Sequence, residues 1–461
     1  MGQAPKEFAK GLSMSQALIL INPWIYDFAA YDLWSRPLGL LYMASFLRQQ
    51  GFHVHLIDCL HGGRLEAGKK APTRRAYGTA KFLKEQATKP PALQHIPRPY
   101  SRYGISQESF VRALRNVQNP AAVLVTSAMT YWYPGVQEAI RLARAIHPGV
   151  PIILGGLYAR LCEGHARQTS GADRIVSESG LQAMDHMAHA LEKYGATARA
   201  EATTLERLPY PAFDLLHERS CVSLLTSLGC PYHCRYCATP VIHPHPLRRD
   251  PLHVLEEILY WHREYGIRDY AFYDDALLFR AETHAAVLLE EIIRRELPVR
   301  FHTPNALHVR EITAEIARLL HRSGFRTIRL GLETADMEMH QDLDGKVSEG
   351  EFDKAVMNLR KAGFTKKDIG AYLLVGLPGQ SVQSVLETIA FVGDRGATPY
   401  LAEYSPIPHT ALWRKAVEHS RYDLSSEPLF HNNTLLPCWD DSRRAQFPKL
   451  KQRVLDIRRQ G

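Results

Sequence analysis

Three cysteines within one nine-residue loop, Cys230, Cys234 and Cys237, form the chain's most conspicuous group of side chains able to do chemistry. They lie in Gly229 to Cys237 (GCPYHCRYC), directly after the strand-like run CVSLLTS at 221–227. Three soft thiolates crowded on one short loop suit iron–sulfur ligation. Three ligands rather than four leave one iron of a four-iron cluster without a protein ligand, open to a small chelating molecule. A zinc ion completed by His233 or His243 is the alternative that residue types alone permit. Cys59, Cys162, Cys221 and Cys438 are dispersed and read as small buried hydrophobes.

The elements that must carry this loop alternate between strand and helix. After 221–227 come the strand patterns DYAFY at 269–273, VRFHT at 299–303, TIRLGLE at 327–333, GAYLLVG at 370–376 and PYLAEY at 399–404. Helical patterns near 252–265, 281–296, 313–323, 351–362 and 382–395 separate them. Six β/α units predict an open, partial TIM-type barrel whose function sits at the strand C-termini. An earlier series, with strands at 17–21, 53–57, 122–127 and 151–156 and helices near 40–50, 134–146 and 181–194, predicts a Rossmann-like, doubly wound parallel sheet. The fold class expected is therefore α/β: a Rossmann-like domain at 1–195, a linker at 196–220, a barrel at 221–410 and an extension at 411–461. Residues 62–105, polar and rich in Pro, Gly and Lys, read as an insertion loop outside the core.

The 461 residues carry a net charge of +8, with 45% apolar and 23% charged residues, which fits a globular protein of two domains. Basic groups at Lys69 to Arg75, Arg248 with Arg249, and Arg443 to Arg459 are discontinuous and read as solvated surface. No run of eighteen apolar residues predicts a membrane span, and no export signal is visible, so the expected setting is cytoplasmic. Seven cysteines, an odd number, argue for thiols or metal ligands over a disulfide framework.

The triad resembles the CxxxCxΦC loop of the radical S-adenosylmethionine (SAM) superfamily, with Tyr236 at the aromatic position. The resemblance extends to about residue 413. It implies a 4Fe-4S cluster on Cys230, Cys234 and Cys237 whose open iron binds SAM, and reductive cleavage of SAM to a 5'-deoxyadenosyl radical. It also assigns SAM contacts at strand ends: Asp274 or Asp275 after the second strand, Asn305 in Thr303 to Ala306 after the third, Glu333 in Gly331 to Thr334 after the fourth, and Gly376 and Leu377 in Val375 to Gly379 after the fifth. A reductant of the flavodoxin or ferredoxin type is implied as partner.

The first half resembles the cobalamin-binding domain that precedes the barrel in one subgroup of that superfamily. Pro37 to Ala44 leading into Gly51 to Asp58 matches it, as do Ser127 with Met129 and the pair Gly155-Gly156, which the resemblance assigns to cobalamin. Two departures stand out. The DxHxxG element is replaced by Asp58-Cys-Leu-His61-Gly62-Gly63, and the usual GEGE turn by Asp173 to Gly180 with Ser177 and Ser179. The function implied is cobalamin-dependent methylation or alkylation of a small metabolite or natural-product intermediate. The alternative is radical rearrangement, cyclisation or oxidation without cobalamin. An RNA-modifying enzyme is disfavoured, because the first half lacks a second cysteine triad and about fifty residues follow the barrel; a non-catalytic cofactor carrier would have no use for the matched strand ends.

Overall fold

The computed structural model describes residues 16–60, 76–193 and 204–459. His61, the basic group Lys69 to Arg75 and the first part of the expected linker lie outside the described residues.

The first half is built on a five-stranded parallel sheet. Strands β1 (Ala17–Asn22), β3 (His53–Asp58), β6 (Ala122–Val125), β7 (Ile152–Leu154) and β8 (Arg174–Ile175) lie in the order β3-β1-β6-β7-β8. The order reverses between β1 and β6, the switch point where ligands settle over the carboxyl ends of doubly wound sheets. Apolar runs such as ALILI form these strands because helices cover both faces, so no alternation with polar residues is needed.

Residues 76–105 correct the expectation of a loop outside the core. Strands β2 (Ile25–Asp27), β4 (Lys84–Gln86) and β5 (Ser101–Tyr103) make a small antiparallel sheet in the order β2-β5-β4. Leu93, Tyr100 and Ile105 are buried in the same core as β1 and β6. Gly104 permits this packing: a side chain there would drive its Cβ to 2.3 Å from the Cys59 carbonyl oxygen.

The second half follows the expected alternation. Strands β9 (Val222–Leu224), β10 (Asp269–Phe272), β11 (Arg300–His302), β12 (Phe325–Glu333), β13 (Ile369–Val375) and β14 (Thr398–Glu403) are parallel and neighbour one another in chain order. This is a six-stranded open barrel. Three of its helices start on side-chain caps: Asp250 accepts from the amides of Leu252 and His253, Thr313 from Ile316, and Ser381 from Ser384. Alternation sets the two faces. Phe301, Ile328, Leu330, Leu332, Leu373 and Val375 face the helices, leaving Arg329, Gly331, Glu333 and Tyr372 on the lumen side.

The described part of the expected linker is packed: Ala212 and Phe213 are buried, and the Ser45 hydroxyl donates to the Tyr210 carbonyl at 2.6 Å. Beyond the barrel, residues 420–440 run between the two halves. There Asn432 donates to Asp27 at 2.8 Å, and Thr130 pairs with the His431 ring at 2.9 Å. Helix Phe447–Arg459 covers the outside of the last barrel unit, with Ile457 against Gly393. Among the described residues no helix is long and apolar enough to cross a membrane.

Candidate active site at the strand ends

The cysteine loop hangs from the ends of β9 and β10. Asp274, just past β10, is 3% exposed and accepts from the Thr226 amide at 3.0 Å, the Thr226 hydroxyl at 2.6 Å and the Ser227 hydroxyl at 2.7 Å. Burial raises its carboxyl affinity for protons. Its oxygens are thus engaged within the protein, and it staples one strand exit to the next. Asp275 takes the loop itself: the Gly229 amide donates at 3.1 Å and the Thr239 hydroxyl at 3.1 Å. These residues flank Cys230 and Cys237, so one carboxylate ties both ends of the triad. The Thr239 amide also lies 3.4 Å from the Cys237 sulfur.

All three cysteines are free, and Cys230 and Cys234 each feel the charge of Cys237. Burial pushes the Cys230 thiol up to about 11 and the Cys234 thiol up to about 12. A strongly Lewis-acidic group is what would hold them as thiolates near neutral pH. No three His, Cys, Asp or Glu side chains among the described residues converge as on a single ion. A triad on one braced loop fits a cluster, whose irons take one thiolate each. His308 Nε2 stands 3.9 Å from the Cys230 sulfur. Burial first, then the Lys346 and Arg310 charges, lowers that ring to about 3, leaving it neutral.

Across the lumen, Glu333 ends β12 in a left-handed conformation, φ 64°, and is 7% exposed. Lys346 donates to its Oε1 at 2.7 Å and to the Tyr236 hydroxyl at 2.9 Å, with Asp344 3.7 Å away. Tyr236 in turn reaches Asp344 at 3.3 Å, and His340 holds the other Asp344 oxygen at 3.1 Å. Burial disfavours the Lys346 ammonium, but Glu333 and the Cys234 and Asp344 charges more than reverse this and raise its proton affinity. Gly331 leaves room for this cluster; a Cβ there would stand 3.1 Å from Glu333 Oε1 and 3.3 Å from Lys346 Nζ. Lys346 escaped the sequence reading because it belongs to no motif. The charged pattern Asp344-Gly345-Lys346 ahead of buried Val347 was its one signal.

Asn305 donates to the Tyr273 carbonyl at 2.9 Å and the Asp274 carbonyl at 3.3 Å, fixing the turn that aims Asp275. Gly376 and Leu377 stand apart from this group. Both amides donate to the Gln380 side chain, at 3.0 and 3.3 Å, and Leu436 covers Gly376 so closely that a Cβ would lie 2.9 Å from its Cδ2. The Gln380 side chain therefore sets the loop's shape from within.

In the first half, the Ser127 hydroxyl donates to the Gly155 carbonyl at 2.7 Å, and the Leu157 amide to the Ser127 carbonyl at 2.8 Å. Gly156, at φ 93°, packs backbone on backbone: a Cβ would meet the Ser127 carbonyl oxygen at 2.3 Å. The turn bearing Ser177 and Ser179 has a different task. Arg160 donates to the Ser177 carbonyl at 2.9 Å and the Val241 carbonyl at 2.6 Å, and the Ser179 hydroxyl meets the Ile242 carbonyl. The carboxyl end of the first sheet is thereby hooked onto the segment that follows the cysteine loop.

A parallel sheet of this order, facing a six-stranded barrel with a cysteine triad after its first strand, defines an enzyme class that generates radicals from SAM. Residues 224–392 match the model of the radical SAM superfamily and form a radical SAM domain. An uncharacterized methyltransferase of Synechocystis sp. is 27% identical over 350 residues, 70% of this chain and 62% of that relative. The cytidylyl-2-hydroxyethylphosphonate methyltransferase of Streptomyces wedmorensis is 21% identical over 473 residues, 88% of this chain and 83% of its own. Among solved structures, the radical SAM methyltransferase TsrM of Kitasatospora setae, with cobalamin and a [4Fe-4S] cluster bound, matches with a TM-score of 0.64 at 15% identity, over 96% of this chain and 91% of that chain. The cobalamin-dependent radical enzyme OxsB matches at 0.58 and 12% identity, over 96% of this chain and 56% of that one. These structural likenesses share the two-part fold.

Proposed function

We propose that this protein is a cobalamin-dependent radical SAM enzyme that methylates or otherwise alkylates a small metabolite or natural-product intermediate. The observation that carries the reading is the hook of Arg160 and Ser179 onto Val241 and Ile242, which sets the ligand-binding edge of the first sheet against the cysteine-loop end of the barrel. The methyltransferase relatives and the fold shared with TsrM and OxsB support it. When bound, a cluster on Cys230, Cys234 and Cys237 would supply one-electron reduction of SAM, and a cobalamin beside Ser127, Gly155 and Gly156 would supply the methyl transfer. The chain's own residues do the holding. Asp275 and Thr239 fix the cysteine loop, Tyr236 and Glu333 frame the lumen through Lys346, and Asn305 sets the β10 turn. The electron would come from a flavodoxin or ferredoxin type protein.

Anaerobic reconstitution with iron, sulfide and hydroxocobalamin, then desalting, tests the reading. Cobalamin retained stoichiometrically with cluster iron, together with 5'-deoxyadenosine on reduction with SAM, is the expected result. Cluster and 5'-deoxyadenosine without retained cobalamin would overturn it in favour of cobalamin-independent radical chemistry, toward which the missing DxHxxG element points.

A further inference from the structure

The barrel lumen holds a second charged group that the cluster machinery does not use. Arg329 faces the lumen from β12, half-buried, four residues before Glu333 on the same strand and face. At about 3.3 Å per residue this places it roughly 13 Å deeper than the strand end. The other inward charges are paired: Arg300 with Asp269 at 2.5 Å and Lys346 with Glu333 at 2.7 Å. Arg329 has no carboxylate within ion-pair distance among the described residues. Its guanidinium crosses Gly370 to lie 4.4 Å from the centroid of the Tyr400 ring, donating to the Tyr400 hydroxyl at 3.3 Å.

The same ring carries a second guanidinium. Arg458, from the last helix, lies 4.1 Å from its centroid and donates to the Pro399 carbonyl at 3.0 Å. It too lacks a carboxylate partner among the described residues. Partial burial lowers its proton affinity, and the Arg329 charge lowers it further. Gly370 is what lets the pair form, since a Cβ there would stand 2.6 Å from the Tyr400 ring and 2.9 Å from the Arg329 side chain. Two like charges on one phenol, at the open edge of the half-barrel and without a counter-charge among the described residues, make an arrangement that an anion would complete. Guanidinium forks match planar and tetrahedral oxyanions alike.

We infer that Arg329 and Arg458, with the Tyr400 hydroxyl, form a subsite for an oxyanion, a carboxylate or a phosphoryl group, carried by the substrate at the end remote from its reacting carbon. The inference rests on the reading of the barrel as the substrate-modifying site. It names the class of molecule selected: an anionic metabolite long enough to span from the amino-terminal ends of β13 and β14, where Arg329 lies level with Gly370 and Thr398, to the carboxyl strand ends. The Tyr372 ring, edge to face with Tyr400 at 6.2 Å, gives its body an apolar wall.

Calorimetric titration of the cluster-loaded protein with two probes, inorganic pyrophosphate and succinate, tests this. One probe should bind the unaltered protein, and its affinity should fall at least tenfold in both Arg329→Gln and Arg458→Gln; which probe binds separates the phosphoryl from the carboxylate source. Arg329→Lys should retain part of the affinity. Circular dichroism and iron content on the same samples show that the variants are folded. Equal affinity in the variants, or no binding of either probe to the unaltered protein, overturns the inference. Cobalamin retention, measured alongside, reports on the methylation reading separately, so either can fail alone.

Discussion

If one carboxylate ties both ends of the cysteine loop, Asp275→Ala should loosen the cluster without unfolding the barrel. The substitution removes an acceptor from the Gly229 amide and from the Thr239 hydroxyl, each at 3.1 Å. A hydrogen bond to a charged group contributes about 1.5–3 kcal/mol, and Asp275 is half-buried, so the lower figure applies to each. Together they amount to about 3 kcal/mol of preference for the ordered loop, or roughly a hundredfold in its opening equilibrium at 1.4 kcal/mol per decade. Cluster loss through the opened loop should quicken by one to two orders of magnitude. The assay is the rate at which anaerobically reconstituted protein yields iron to a chelator. Thr239→Val, which removes one of the two ties, should show about a tenfold effect, and Asp275→Asn, which keeps an acceptor, should fall between. If Asp275→Ala releases iron no faster than the unaltered protein, the loop is held by something else and the reasoning fails.

Three further outcomes are expected. Gly156→Ala forces a Cβ to 2.3 Å from the Ser127 carbonyl oxygen at a positive φ, and should cost about 2–5 kcal/mol in denaturant unfolding of the first half. Gly149→Ala, also at positive φ but with open space around it, should cost only about 1–2 kcal/mol; equal losses would refute the clash. His431 is 1% exposed and lowered by burial to about 4, so the folded protein refuses the proton that the unfolded chain accepts below about 6.5. Its contribution is complete above pH 6.5 and is lost as pH falls toward 4, about 3 kcal/mol in all, and His431→Gln should flatten the stability profile across that window. Trp34 stacks on His302 at 4.4 Å and donates to the Tyr77 carbonyl at 2.7 Å, so Trp34→Ala should lose about 3–5 kcal/mol by thermal or denaturant unfolding.

Much of this was legible beforehand because the barrel strands are short runs rich in apolar residues separated by amphipathic helices, and because a cysteine triad after the first strand has few other uses. What escaped was either short or non-local. Arg174–Ile175 is too brief for a periodicity, and the strand Lys84–Gln86 is fully exposed, so no hydrophobic pattern marks it. The burial of Leu93 and Tyr100 depends on Gly104 meeting Cys59, a contact between residues far apart in the chain. Among site residues, the acids after β10 were found but not separated. Asp274 and Asp275 differ only in which way the strand's alternation turns them, one inward to Thr226 and the other toward the cysteine loop. Lys346 and Arg329 are single cations, and only the partners around them distinguish them from surface charge.

The stretch from 420 to 440 joins both halves: Glu427 takes the Tyr133 hydroxyl at 3.1 Å, His431 meets Thr130, Asn432 meets Asp27, and Leu436 lies on Gly376. These residues are made after both of the halves they join. At about 5–20 residues per second, the first sheet exists for tens of seconds, and the barrel strands for a few, before this buckle is available to fasten them. Until then the two halves are tethered along one side only, by the segment between them and the Arg160 hook, and the far side closes once 420–440 has been made. A ligand too bulky to slip between fastened halves therefore has its easiest entry while the chain is still being born.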